Sequence, residues 1–238
     1  MIDYGLLMSA IVTIVAVWAA ERAWPLRTVA PDAGYIDTIM IPAFVGLVVG
    51  RLVTLALDDP ASIGSVRDML VIRSGVEFWP GLLAASLVAA LAARSAWTRG
   101  SDRLADLAPI TLVGYGAYEA SCLFRDGCFG PHSPIGLHPD GFDVTMLPVG
   151  LIMAVAAVAS AAALRRLQDS TWPSSAVVAA AVAMLALVRA TGSIWLPHVG
   201  TGPTRQQSTS ILVAVVASLV CGGILTADRR RQPVRVDA

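Results

Sequence analysis

Apolar residues run along this chain in seven long stretches, at about 4–22, 37–57, 79–97, 106–124, 145–165, 175–196 and 208–227. Charged residues, prolines and glycines gather between them. A helix crossing about 30 Å of hydrocarbon needs roughly 20 predominantly apolar residues, and each stretch meets that length. The pattern predicts an all-α polytopic membrane protein with about seven transmembrane helices. Trp24-Pro25, Trp79-Pro80, Trp172-Pro173 and Trp195-Leu196-Pro197 fall at the ends of stretches. Tryptophan favours the headgroup layer, so these residues mark boundaries.

Composition agrees with the pattern. Hydrophobic residues make up 56% of the 238 and charged residues only 14%, too few to cover a soluble domain. Seven spans use most of the chain, which leaves one transmembrane domain, 1–238, with longer outer segments near 58–78, 125–144 and 197–207. The first stretch has no basic segment before it and no small-residue cleavage site, so it is expected to stay as a helix.

Charge changes the picture through its distribution. The net charge is zero and every basic residue is arginine. Alternate connections hold Arg22 and Arg27, then Arg94, Arg99 and Arg103, then Arg165 and Arg166, then Arg229, Arg230, Arg231 and Arg235. The other set holds only Arg67, Arg73, Arg125 and Arg205. The basic-rich side is expected to be cytoplasmic. That places the N-terminus outside and the C-terminus inside, which requires an odd number of spans. The Arg229–Arg231 run then reads as an anchor on anionic lipid rather than a nucleic-acid patch, and no nucleic-acid partner is expected.

Three ionisable residues fall inside the stretches: Arg51, Glu119 and Arg189. Each costs about 2.5–3.5 kcal/mol at mid-bilayer on insertion scales, so each must face protein, water or another charge. Structural pairing and a functional site are both consistent with that. Tyr118, Cys122 and Arg125 share one face of the fourth stretch, and Glu119 adjoins Cys122 on that surface. A base beside a nucleophile is one reading. The other is a Glu119 paired with Arg51 or Arg189 and a cysteine that packs.

The segment Arg125-Asp126-Gly127-Cys128-Phe129-Gly130-Pro131-His132-Ser133-Pro134 is dense in turn residues and predicts a shaped loop. His132 and His138 in it are either general bases or polar surface. Cys122 and Cys128 are too far apart for a CxxC motif, and no metal site or cofactor is expected. A disulfide between them is open if both face outside. Cys221 reads as a packing residue. No GxSxG, HExxH, P-loop or dinucleotide fingerprint is present.

The order of features resembles the prolipoprotein diacylglyceryl transferase family along nearly the whole chain. The resemblance rests on Tyr4-Gly5, Gly50-Arg51-Leu52, Phe78-Trp79-Pro80-Gly81, Gly116 through Gly130 with its Gly127-Cys128-Phe129-Gly130 close, His138-Pro139, Leu147-Pro148, Arg189 and Gln206-Gln207-Ser208-Thr209-Ser210. It implies a bacterial inner-membrane enzyme that moves a diacylglyceryl group from phosphatidylglycerol to the lipobox cysteine of a prolipoprotein. The partners implied are phosphatidylglycerol or another anionic phospholipid and a prolipoprotein signal peptide.

Such a site must deprotonate a thiol and stabilise a departing phosphate. The resemblance carries Arg189 and Tyr4 over as catalytic residues and Gly130 as the close of the signature. With them, Glu119 and Arg125 are taken as catalytic candidates, and Arg51, Arg189, Gly130 and His132 as the headgroup-binding set. Four positions depart from the family pattern. Trp79-Pro80 stands in place of the His-Gly that follows the aromatic, Glu119 in place of an arginine, Cys122 in place of an asparagine and Ser193 in place of a glutamate. A shifted register with Arg125 or Arg51 as the missing arginine, a different substrate, and loss of catalysis each account for the departures. The rivals are a non-catalytic lipid- or partner-binding subunit, favoured by the small residues of Ala154–Ala163 and Gly222-Gly223, and a solute transporter, disfavoured by the lack of paired broken helices.

Overall fold

The computed structural model describes residues 4–28, 35–61, 75–95, 99–125, 127–139, 143–197 and 202–231. Seven α-helices account for most of them: α1 (Tyr4–Ala23), α2 (Ile41–Asp58, entered through a π-helical turn at Ile36–Met40), α3 (Phe78–Ser95), α4 (Gly100–Ala120), α5 (Val149–Gln168), α6 (Ser174–Trp195) and α7 (Arg205–Arg231). Each coincides with one of the seven apolar stretches. Five of the helical segments are long and apolar enough to cross a membrane, namely α1, Ile36–Asp58, α5, α6 and α7. α3 is a shorter apolar helix. α4 falls short because Asp102, Arg103, Asp106 and Glu119 dilute it. Arg67, Arg73, Asp126, Asp140, Gly141 and Arg235, and much of the outer segments named above, lie outside the described residues.

Boundaries shift where local chemistry decides. α4 begins at Gly100 rather than near 106, because the polar Ser101-Asp102-Arg103 turn is helical. It ends in a 3₁₀ turn, Ser121–Arg125, a usual way to tighten a helix terminus. The shaped loop is a two-stranded antiparallel hairpin, β1 (Phe129–Leu137) with β2 (Met146–Pro148). β2 takes the residues expected to open the fifth span, and α5 starts after Pro148. α7 runs on through the arginine cluster to Arg231.

The chain forms two compact units, one of residues 27–104 and one of residues 1–26 with 105–238. In the first, α2 and α3 meet at glycines. A Cβ on Gly46 would lie 2.7 Å from the Gly81 carbonyl oxygen, and one on Gly81 would lie 2.7 Å from that of Gly46. Only glycine admits so close a crossing, and close crossings are how helices associate where lipid removes the hydrophobic drive. The Gly46–Gly50 spacing is the GxxxG pattern, a signal that the sequence reading passed over. Arg51, next along, is buried and donates from Nη1 to the Gly75 carbonyl at 3.1 Å.

In the second unit α6 is the central helix, packed between α5 and α7. It is buried at Ala176, Ala179, Ala180, Ala183, Ala186 and Ala190 as well as at larger residues between them. The alanine run lets the flanking helices approach closely. Cys221 of α7 is buried there, its thiol donating to the Ala176 carbonyl at 3.5 Å. α5 presents Met153, Ala154, Ala157, Ala161 and Leu164 inward at helical spacing. α4 comes against its backbone where a Cβ on Gly116 would be 3.0 Å from the Ala154 carbonyl oxygen. Outward faces stay apolar, as with Leu7 of α1, Val155 of α5 and Leu219 of α7, the arrangement lipid requires.

Candidate functional site

One end of the second unit collects the chemistry. α4 carries Tyr115, Tyr118 and Glu119; the 3₁₀ turn adds Cys122 and Arg125; the hairpin adds Cys128; α6 supplies Arg189. Tyr115 and Glu119 are one helical turn apart, so their side chains share a face. Both are buried, as is Arg189. Arg189 Nη1 donates to the Tyr115 hydroxyl at 3.4 Å, and its guanidinium lies 5.5 Å from the centre of that ring. The Tyr115 hydroxyl is hydrogen-bonded to the Glu119 carboxylate, on which the charges of Arg189 and Arg125 also act. Of the two arginines expected to pair with Glu119, Arg189 is the one acting on it.

Arg125 closes the other side. Its guanidinium stacks 4.6 Å from the Tyr118 ring centre and donates from Nη1 to the Tyr118 hydroxyl at 3.0 Å. Nη2 donates to Cys122 Sγ at 2.9 Å. The shared face read from the sequence for Tyr118, Cys122 and Arg125 is therefore a set of direct contacts. Cys122 and Cys128 form a disulfide with Cα atoms 5.7 Å apart. A ligand atom from each of Glu119, Cys122 and Cys128 lies within 4.8 Å of the others. A carboxylate and two thiolates would suit a soft cation, but sulfurs bonded to each other are not thiolates. The spacing of these residues had pointed to no such group.

Glycine holds the site together at Gly150, the second residue of α5. Its N–H donates to the Cys128 carbonyl at 3.2 Å, and a Cβ there would lie 2.5 Å from the Glu119 carbonyl oxygen. Gly130 is buried, with Val149 Cγ2 2.7 Å and the Trp195 carbonyl oxygen 3.1 Å from where its Cβ would be. It seats the hairpin on α5 and the end of α6. α1 is fastened to the same end through Ser9, whose hydroxyl lies 3.4 Å from the Ser121 carbonyl oxygen.

The structure thus brings together Arg189, Glu119 and Arg125 of the expected set and adds Tyr115. Tyr115 was missed, although its place four residues before Glu119 on a helix was the available signal. Tyr4 is 74% exposed at the start of α1. His132 and His138 are exposed on and just beyond β1, outside the buried group. Arg51 belongs to the other unit.

These features define a multi-pass helical membrane protein that keeps an arginine, a tyrosine and a carboxylate inside one end of its bundle. The sequence profile of the prolipoprotein diacylglyceryl transferase family matches residues 2–225 of the 238, and the chain belongs to that family. The family is one of transferases in lipoprotein biosynthesis. A search of curated proteins finds no match to the chain.

Proposed function

We propose that the protein transfers a diacylglyceryl group from an anionic phospholipid, with phosphatidylglycerol the donor, to the lipobox cysteine of a prolipoprotein in a bacterial inner membrane. The observation that carries this reading is the buried Arg189 guanidinium, set against Tyr115 and Glu119 in a member of this family. Arg189 and Arg125 both act on the Glu119 end of the site, and guanidinium groups suit a phosphate. A guanidinium already oriented by a tyrosine stabilises a departing phosphate without reorganising during the reaction.

The step balances on residues of this site. The acceptor thiol gives its proton to the Glu119 carboxylate. The thiolate attacks the glycerol carbon that carries the phosphate, and a carbon–sulfur bond forms as the carbon–oxygen bond breaks. The electron pair leaves on the phosphate oxygen, facing Arg189, as glycerol phosphate.

All seven helices span the membrane in this reading, with the N-terminus outside and the C-terminus in the cytoplasm. Arginine bias supports that orientation. The Cys122–Cys128 disulfide supports it independently, because it falls at the α4 end assigned to the outside, where disulfides persist.

A second reading has its own observation. Glu119, where the family pattern has an arginine, repels a phosphodiester, and this favours a catalytically divergent lipid- or partner-binding subunit. A transfer assay separates the two. Purified protein is mixed with phosphatidylglycerol vesicles and a lipobox peptide, beside an active family member. A peptide mass raised by one diacylglyceryl group supports transfer. An unchanged mass beside an active control overturns it in favour of the subunit.

A further inference from the structure

The Cys122–Cys128 disulfide differs at its two sulfurs. Cys122 is 3% exposed and its Sγ accepts a hydrogen bond from Arg125 Nη2. Cys128 is only partly buried. It is also the one non-glycine residue with positive φ among the described residues, at 60°, a conformation cysteine rarely adopts. The Glu119 carboxylate stands within 4.8 Å of both sulfurs.

Thiol–disulfide exchange asks for these differences. The attacked sulfur must be reachable, the departing sulfur must be stabilised as a thiolate, and a base must take the proton of the attacker. We infer that this disulfide is a covalent capture site for thiols, with Cys128 as the attacked sulfur and Cys122 as the leaving group. The incoming thiol gives its proton to Glu119. Its sulfur bonds to Cys128 Sγ, the Cys128–Cys122 bond breaks, and the electron pair departs on Cys122 Sγ, held by the Arg125 guanidinium. The incoming sulfur is oxidised and Cys122 is reduced, so no outside oxidant enters. Attack by the Cys122 thiolate on Cys128 Sγ of the mixed disulfide restores the starting bond and expels the ligand as a thiolate, which regains its proton from Glu119.

The ligand class is a thiol. Taking it as the cysteine of a lipobox peptide rests on the transfer reading above, whereas the exchange chemistry does not. Capture would hold that cysteine beside the Arg189 group before transfer.

The test uses the full-length protein in detergent with its disulfide intact. It is incubated with a lipobox peptide or with glutathione, quenched with N-ethylmaleimide and mapped by mass spectrometry. The expected product carries the thiol on Cys128 and the maleimide on Cys122. Peptide outpacing glutathione assigns the site to a peptide thiol, and equal or faster glutathione assigns it to small thiols. Adducts on Cys122, or no adduct while an exposed model disulfide exchanges, overturn the inference. Arg125→Leu should slow capture by about tenfold or more, because exchange slows as the leaving thiol becomes more basic; an unchanged rate removes Arg125 from the step. If that variant does not fold, the site mapping in the native protein decides alone. Transfer adds mass to the peptide and survives reductant, while capture adds the peptide to the protein and is reversed by reductant, so either can fail without the other.

Discussion

α4 carries a buried carboxylate toward each end, and the two are treated differently. Asp106 meets an opposite charge directly. Its carboxylate lies 4.0 Å from Arg165 of α5, Arg165 Nη1 donates to Gln168 at 3.0 Å, and the Gln168 amide donates to the Ala105 carbonyl. Charge and hydrogen bonds close on themselves there, tying α4 to α5. Glu119 instead shares a hydrogen bond with Tyr115, which in turn accepts from Arg189. Tyr115 thus touches both the guanidinium and the carboxylate. One end uses its charge to fasten two helices, and the other gathers a tyrosine, a carboxylate and two arginines around one point.

Substitutions can break or sharpen that contrast. Arg189→Ala should lower transfer by about 10²–10³-fold, the usual loss when one stabiliser of developing charge is removed. The variant should still insert and keep its disulfide, which non-reducing mass analysis would check. Wild-type turnover would end the distinction between the ends. Glu119→Gln keeps the shape and removes the base, and should slow transfer by about 10²-fold in a single-turnover assay. Gly150→Ala alters no reactive group but places its Cβ against backbone. It should lose about 1–3 kcal/mol of stability from overpacking, seen as a lower melting temperature in mild detergent. Asp106→Asn removes the charge facing Arg165, should cost about 1–3 kcal/mol, the range for a buried polar group that loses its partner, and should leave the transfer rate unchanged. A rate defect there would show that the fastening end also serves catalysis. Gly222→Ala should gain up to about 1 kcal/mol, since a Cβ at that α7 position meets nothing within 4 Å.

The apolar stretches disclosed all seven helices, because a bilayer demands long uncharged runs and such runs are visible in any single sequence. α4 shows the limit. Asp102, Arg103, Asp106 and Glu119 weaken its hydropathy, yet the last three are buried in the fold. The hairpin was hidden because Gly127, Gly130, Pro131, Pro134 and Gly136 announce turns and mask the strand pairing between them. Glu119, Arg189 and Arg125 stood out as charges in or beside apolar segments. Tyr115 did not, since a tyrosine in a span looks like any other aromatic until a partner is found for its hydroxyl. The sequence leaves the disulfide open, because a spacing of six fixes no Cα–Cα distance.

The hydrogen bond between Tyr115 and Glu119 also bears on how the protein is made. Tyr115 precedes Arg189 by 74 residues, so at about 5–20 residues per second the ribosome delivers α4 roughly 4–15 s before the arginine. Through that interval Glu119 sits in a new helix whose distant counter-charge has not been synthesised. Tyr115, one turn away on the same helix, is already there to donate to it. The tyrosine thus offers the carboxylate a partner from its own helix before α6 is made.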